Sequence, residues 1–399
     1  MKNTEGQRDA LQVFCPNLDC PARGKVGAGN LVSHGKERER YKYKTCGRTF
    51  CARQGTMFVG LRKPEEQIVL VVTLLAYGCP VQAIVHALGL DERTVARWQE
   101  RAGVHCQKVH EDQVMAGKLD LVHVQADEIR GKGWKMIPWI AMAMMVSTRL
   151  WLGGVVQFSR DRSLADRLMA QVRQCAAGLR PLLVLTDGWS AYPGSIRRAF
   201  REKVKRTVGV GRACLQVWPD LHIGTVIKRT EKKRVVEITR RMAHGILDQA
   251  EKLLQLSGGG SVLNTAFIER LNGTFRERLA SLTRKSRHAA SRLQALHTGM
   301  YLIGCTYNFC VIHQELSKEK QWGKPCTPAM ASRLTDHVWS FAELLSYKVA
   351  PAPWVEPKRR RRRPEQAEPP VASTKKQSRP SGSRPLVRLC KGVLCSTTV

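Results

Sequence analysis

The apolar run at residues 181–187 constrains the fold more than any other feature of the sequence. Its residues, PLLVLTD, are apolar almost up to the terminal aspartate. A near-continuous apolar run of this length is typical of a strand that is buried on both faces of a sheet. The run therefore predicts an α/β core in which Asp187 lies at the end of a central strand.

Two further carboxylates occupy positions close to the predicted core. Asp127 follows a strand-like alternation at residues 122, 124 and 126, so its side chain points to the opposite face from theirs, and Glu128 is expected to point away from Asp127. Glu269 lies beside an apolar stripe of helical periodicity. Carboxylates near a core are costly unless a cation joins them, and their hard oxygens suit Mg²⁺ or Mn²⁺. Two such ions can stabilise the attacking and leaving oxygens of a phosphodiester.

Three motifs surround these carboxylates: ADEIRGKGW with Asp127, TDGWSAYP with Asp187, and NTAFIERLNGTFRERL with Glu269. Together they resemble the acidic motifs of bacterial insertion-sequence transposases of the DDE type, notably the insertion-sequence-one family and its relatives. The resemblance runs from about Cys15 to His313. It implies an RNase H-like catalytic core and metal-dependent cleavage and joining of DNA by the three carboxylates.

Charge and hydropathy restrict the partners. The chain has 399 residues and a formal net charge of +33, which favours a polyanion such as nucleic acid. Its apolar stretches fall short of the ~20 residues of a membrane-spanning helix, and its first residues show no signal-peptide pattern. We therefore expect a cytoplasmic, nucleoid-associated bacterial protein that binds DNA and no membrane.

Composition along the chain predicts four parts. The central part is the α/β catalytic domain, with a basic insertion, and a disordered tail follows because its Pro, Arg and Ser residues bury too little apolar surface. The predicted ranges are 12–60 for a zinc-ribbon-like module, 61–117 for a helix-turn-helix domain, 118–345 for the catalytic domain with the insertion at 201–260, and 346–399 for the basic tail.

The first part is a cysteine module. The pairs Cys15/Cys20 and Cys46/Cys51 suit a zinc ribbon, in which thiolates around one Zn²⁺ replace a core too small to fold alone. The segment RYKYKTCGRTF resembles the second knuckle of the family's ribbon, except that Tyr43 stands where the family has a cysteine. The fourth ligand is then Cys51 or His34. The alternative is a ribbon that has lost its metal.

A helix-turn-helix is predicted next. A short amphipathic helix over residues 80–88 is followed by Gly89 and then by Asp91 as the N-cap of a second helix. The second helix turns Val95 and Trp98 inward. It presents Arg93, Thr94 and Arg97 outward, as a DNA-reading helix does, although an ordinary helical hairpin has the same pattern.

The helix of Glu269 offers two more candidate DNA contacts. Arg276 lies two helical turns after Glu269 on the same face, and Asn272 lies between them. Members of the family have a basic residue at the position of Arg276, and this residue could bind the phosphate of a transposon end.

The sequence therefore predicts a transposase that recognises terminal inverted repeats and acts as a homodimer or larger assembly on DNA, since two ends must be held together. Two alternatives remain open. One is a DNA-binding repressor or relic without catalysis, and the other is an RNase H-like nuclease that acts on RNA.

Overall fold

The N-terminal cysteine segment forms a small three-stranded sheet. The computed structural model describes residues 14–27, 29–34, 40–133, 135–204, 213–232, 234–282, 292–318 and 325–356. The first strands run antiparallel in chain order: β1 Leu31–Ser33, β2 Arg40–Tyr43 and β3 Thr49–Cys51. Their core consists of Cys15, Cys20, Ala22, Tyr43 and Phe50. A core this small does not fold alone, so the module depends on a metal ion or on its neighbours.

Three helices follow the module: α1 Glu65–Ala76, α2 Val81–Leu88 and α3 Glu92–Gln113. Gly89 ends α2 in the left-handed conformation, with φ 60°, which glycine adopts without strain. The predicted N-cap is confirmed, because the carboxylate of Asp91 accepts a hydrogen bond from the backbone N–H of Thr94 at 3.2 Å. Helix α3, the second helix of the predicted motif, is much longer than the DNA-reading segment that the sequence indicates.

The predicted α/β class is confirmed by a mixed six-stranded sheet in the order β6-β5-β4-β7-β10-β11. Strands β4, β7 and β10 are parallel, and the other neighbours are antiparallel. Residues 221–244, from the segment that the sequence assigns to a basic insertion, supply two of these strands. The bounds are β4 His123–Arg130, β5 Trp139–Met145, β6 Leu150–Gln157, β7 Leu182–Asp187, β10 Leu221–Glu231 and β11 Arg234–His244, with β8 Arg201–Val204 and β9 Cys214–Val217 forming a separate pair.

Helices cover the sheet on both faces. They are α4 Arg162–Cys175, α5 Ala191–Ala199, α6 Leu247–Leu256, α7 Ala266–Arg278, α8 Leu293–Cys305, α9 Gln314–Lys318, α10 Pro328–Ala331 and α11 Phe341–Ser346, with a 3₁₀ turn at Ala280–Leu282 and a π turn at Thr306–Cys310. One hydrophobic core joins the sheet to α1, α2 and α3. Helix α3 crosses α8 closely at Gly103, where a Cβ atom would lie 2.3 Å from the carbonyl oxygen of Thr298.

The chain remains packed after α11. Tyr347 stacks on Trp339 with ring centroids 5.3 Å apart, so the first residues of the predicted tail belong to the folded body. The basic run at 358–363, and with it most of that tail, lies outside the described residues. In the part of the chain that the structure describes, no helix is both long enough and apolar enough to cross a membrane.

Candidate functional site

Asp127 and Asp187 lie side by side where the pairing of the parallel strands β4 and β7 ends. The register of β4 on β7 pairs Ala126 with Thr186, so the next residue on each strand is an aspartate. Side chains alternate along strands, and neighbours in register share a face. The pairing of β4 with β7 thus brings together the two aspartates predicted from separate motifs.

Hydrogen bonds fix Asp127 and the helix above it. The Asp127 carboxylate accepts one bond from the Asn272 side chain and one from the backbone N–H of Glu128, each at 2.8 Å. Two residues earlier on the same face, the side-chain oxygen of Gln125 accepts bonds from the backbone N–H groups of Phe267 and Ile268, each at 3.1 Å. These contacts hold the first turn of α7, and therefore Glu269, against the middle of β4.

Glu269 lies across a cleft from Asp187. Both residues line a cavity of about 520 Å³, with Lys228 of β10 on its wall. The Glu269 carboxylate accepts a hydrogen bond from the Thr265 hydroxyl at 2.6 Å and forms an ion pair with Lys228. The structure therefore places Glu269 in the same cleft as Asp187, but with a lysine as its immediate partner.

Glu128 departs from the sequence expectation. Carboxylate oxygens of Asp127, Glu128 and Asp187 all lie within 4.8 Å of one another, although strand alternation predicts that Glu128 points away. Asp187 is the last residue of β7, so its carboxylate lies at the end of this central strand and can be approached from either face of the sheet. The longer side chain of Glu128 reaches the end of the strand from the opposite face, which alternation alone does not reveal.

The clustering shifts the acidity of these groups. Burial, followed by the negative charges of Glu128 and Asp187, raises the pKa of Asp127 from 3.8 to about 7. Burial also raises the pKa of Asp187 and of Glu128. Hard carboxylate oxygens that are buried together in this way are donors that a divalent cation such as Mg²⁺ or Mn²⁺ stabilises. The residues present therefore fit such an ion.

Asn272 and Arg276, the two other candidates on α7, differ in their surroundings. The side-chain oxygen of Asn272 is buried and makes no hydrogen bond within the described residues. Asn272 itself is 1% exposed, and its amide nitrogen is committed to Asp127. A side chain buried in this way orients Asp127, rather than reaching a DNA strand as the sequence pattern indicates. Arg276 lies farther along α7 and is half-buried.

Sequence reasoning missed the basic residues of the cleft. Arg160 precedes α4 and Lys228 lies within β10, and both line the cavity beside the carboxylates. Arg160 follows β6, but many basic residues lie close to strand ends in a chain of this charge. Only the neighbourhood of the strands in the sheet distinguishes these two from the rest.

A second cluster is built from cysteines. The sulfur atoms of Cys15, Cys20 and Cys46 lie within 4.8 Å of one another, with Cys15 and Cys46 separated by 3.6 Å. Burial raises the pKa of the Cys15 thiol to about 12. Three converging thiols are compatible with a zinc ribbon. Neither Cys51 nor His34, the two residues expected to provide a fourth ligand, belongs to this group of described residues.

Tyr43 closes the cysteine cluster. It is fully buried and packs on Phe50 with ring centroids 5.0 Å apart. Burial raises the pKa of its hydroxyl, and the three neighbouring cysteines contribute to this shift. The residue that replaces a cysteine of the ribbon pattern therefore packs next to the remaining three.

Two of the three helix-turn-helix candidates lie on the exposed surface. Arg93 and Arg97 are exposed on α3, and Thr94 is half-buried. Val95 and Trp98 are buried at 0% and 3% exposure. The two arginines at the start of α3 are therefore accessible.

Comparisons with known proteins place few limits on this chain. No family model matches it, and no curated protein matches it. Five chains among the solved structures do, and one of them is described as a cryo-EM structure of the piggyBac transposase synaptic complex with hairpin DNA. That match has a TM-score of 0.36 and 11% sequence identity, and it covers 73% of this chain and 74% of the other. A TM-score this low says nothing about the fold or the activity of the present protein.

Proposed function

We propose that this protein is a DDE-type DNA transposase that cleaves and joins DNA ends with divalent metal ions. The observation that carries this proposal is the placement of Asp127 and Asp187 side by side on adjacent parallel strands, with Glu269 in the same cleft as Asp187. The strand order supports an RNase H-like core, in which an antiparallel meander of β4, β5 and β6 is continued by parallel β7 and β10.

Asp127, Asp187 and Glu269 would hold Mg²⁺ or Mn²⁺. The bound ion supplies charge stabilisation to the phosphodiester transition state and lowers the pKa of an attacking water or hydroxyl. The protein's own residues prepare the site. Asn272 orients Asp127 through a bond of 2.8 Å, and the backbone N–H of Trp189 donates to the Asp187 carboxylate at 3.1 Å. Lys228 balances the charge of Glu269.

Substrate recognition would come from the N-terminal half of the chain. Arg93, Thr94 and Arg97 are proposed to read the terminal inverted repeats, and the cysteine module is proposed to hold one structural Zn²⁺. A net charge of +33 supports binding to duplex DNA, and a homodimer or larger assembly would bring two ends together. Membership of the insertion-sequence family is part of this proposal, and the three sequence motifs support it.

Single-turnover cleavage of a labelled transposon end by the full-length protein in Mn²⁺ tests the proposal. Glu269→Gln keeps the shape of the side chain but removes an anionic oxygen. It is expected to lower the rate by at least ~100-fold, because each 1.36 kcal/mol of lost transition-state stabilisation is tenfold. Glu277→Gln is the matched control, since Glu277 is exposed in the same helix.

The outcomes also separate the alternative functions. A wild-type protein that binds the end but never cleaves it in any divalent metal is a repressor or a relic. Preferential cleavage of RNA identifies a nuclease. Equal rates for Glu269→Gln and Glu277→Gln would remove Glu269 from the site.

A further inference from the structure

Arg160 lies at the mouth of the carboxylate cleft and is held by several groups at once. Its Nε atom donates to the Glu128 carboxylate at 2.6 Å, and its Nη2 atom lies 3.7 Å from the Asp187 carboxylate. The guanidinium carbon is 4.6 Å from the ring centroid of Trp189 and 5.3 Å from that of Trp139. The side chain nevertheless remains 35% exposed. An arginine that is fixed in this way and still reaches solvent is prepared to bind a ligand.

The anchor of Arg160 is itself rigid. Glu128 is 9% exposed, and both of its carboxylate oxygens are engaged. One accepts from Arg160, and the other accepts a hydrogen bond from the hydroxyl of Tyr192 at 3.1 Å. Tyr192 is fully buried beneath the cleft. The chain from Tyr192 through Glu128 to Arg160 therefore fixes the position of the guanidinium from the core outward.

This arrangement leaves donors for a ligand. A guanidinium carries five N–H donors in a planar fork. Glu128 takes donors from Nε and Nη2, whereas no described residue accepts a hydrogen bond from Nη1. The remaining donors lie beside Asp187 on the wall of the same cavity. That fork matches the oxygens of a phosphate group, which it can bind with two parallel hydrogen bonds.

We propose that Arg160 binds a phosphate group of the nucleic-acid strand in the cleft, with Glu128 and Tyr192 as positioning residues. The inference deepens the proposed function, on which it rests for the identity of the strand. The carboxylates of the site repel a phosphodiester, and Arg160 places a fixed positive charge beside two of them, Glu128 and Asp187. The competing explanation is that Arg160 only neutralises the buried charge of Glu128.

A double variant separates these two explanations. Arg160→Gln alone leaves Glu128 buried without its partner, so it can damage the fold under either explanation. Glu128→Gln combined with Arg160→Gln removes both charges together. If Arg160 only neutralises Glu128, the double variant regains wild-type DNA binding. If Arg160 binds phosphate, the double variant remains defective although its thermal unfolding is close to that of the wild type.

The first measurement is the salt dependence of binding to a fixed labelled DNA duplex in Ca²⁺, and it needs no catalysis. The slope of log K against log salt is negative, and loss of one phosphate contact reduces its magnitude by ~0.9. We expect this reduction in the double variant, whereas Arg160→Lys, which keeps the charge, retains the slope. An unchanged slope in the double variant overturns the inference.

The second measurement is single-turnover cleavage in Mn²⁺. The double variant is expected to cleave about 100-fold more slowly than Glu128→Gln alone, because it also lacks a donor to transition-state charge. Arg162→Gln is the control, because Arg162 is exposed and pairs with Asp166 outside the cleft. Its rate should stay within about twofold of the wild type. If the wild type never cleaves DNA but the salt slope still falls in the double variant, the phosphate site stands and the proposed function fails. Wild-type cleavage by the double variant overturns the phosphate site alone.

Discussion

Replacing Asp127 by asparagine is expected to stabilise the metal-free protein at alkaline pH. The pKa of Asp127 is raised from 3.8 to about 7, so the folded protein keeps this carboxyl protonated over a range in which the unfolded chain has ionised it. Its contribution to stability is therefore complete below about pH 4 and is lost as the pH rises through about 7. The difference between the two pKa values corresponds to a loss of at most roughly 4 kcal/mol in the free energy of unfolding above pH 7.

The asparagine variant avoids this loss because it carries no charge. Its local hydrogen bonds can survive, since the side-chain oxygen of Asn272 has no hydrogen-bond partner among the described residues and can turn to accept from the new amide. We expect Asp127→Asn to raise the free energy of unfolding by about 1–4 kcal/mol at pH 8 and by less than about 1 kcal/mol at pH 4.

Urea unfolding in EDTA at the two pH values measures this difference. Buried histidines titrate in both proteins, so their effect cancels in the comparison. Saturating Mn²⁺ should reverse the order at pH 8, because the wild type gains more from the ion. A variant that is no more stable than the wild type at pH 8 in EDTA would refute the argument that repulsion and burial strain this carboxylate.

Three further outcomes are expected. Cys46→Ser should lose one equivalent of Zn²⁺ on metal analysis of the full-length protein, whereas Cys51→Ser should keep it, because Cys46 lies in the cysteine cluster and Cys51 does not. Equal retention of Zn²⁺ by both variants would exclude the proposed zinc site. Lys228→Met should lower the Mn²⁺ concentration for half-maximal cleavage about three- to fivefold, because a partly exposed ion pair with Glu269 is worth at most about 1 kcal/mol; an unchanged midpoint would show that Lys228 does not compete with the ion. Burial lowers the pKa of His110 to about 4, so the unfolded chain takes up a proton below about pH 6.5 while the folded protein does not. Stability should therefore fall by up to roughly 3 kcal/mol as the pH drops from 6.5 to 4, and His110→Gln should flatten that slope in acid unfolding; a slope equal to that of the wild type would contradict the burial argument.

The local features of the fold could be predicted from the sequence. The apolar run ending at Asp187 gave β7, and the alternation before Asp127 gave β4. The cap at Asp91 was evident because capping depends on chemistry within one turn of helix. Glu269 was placed on a helix by apolar periodicity, which depends only on neighbours in the sequence. Features of this kind are set by a few consecutive residues.

The remaining features depend on which strands are neighbours in the sheet. The approach of Glu128 to Asp187 requires that β4 lies next to β7, and periodicity within either strand does not contain that information. The same holds for Arg160 and for Lys228, which come to the cleft from separate segments. Cys51 has a spacing that permits metal binding, but the pairing of β2 with β3 sets Cys51 opposite Arg40, at the other end of β2 from Tyr43.

Metal-dependent catalysis by the carboxylate cluster is best examined through strand transfer. The full-length wild-type protein and Asp187→Asn would each be given a labelled transposon end and a target duplex, in Mn²⁺ and in EDTA, with end binding measured in parallel. If Asp187 helps to hold a catalytic metal ion, the wild type should form joined product in Mn²⁺ only. The rate of joining should fall by at least ~100-fold in Asp187→Asn, with unchanged end binding. Joining in EDTA, or near-wild-type joining by Asp187→Asn, would contradict metal-dependent catalysis at this site.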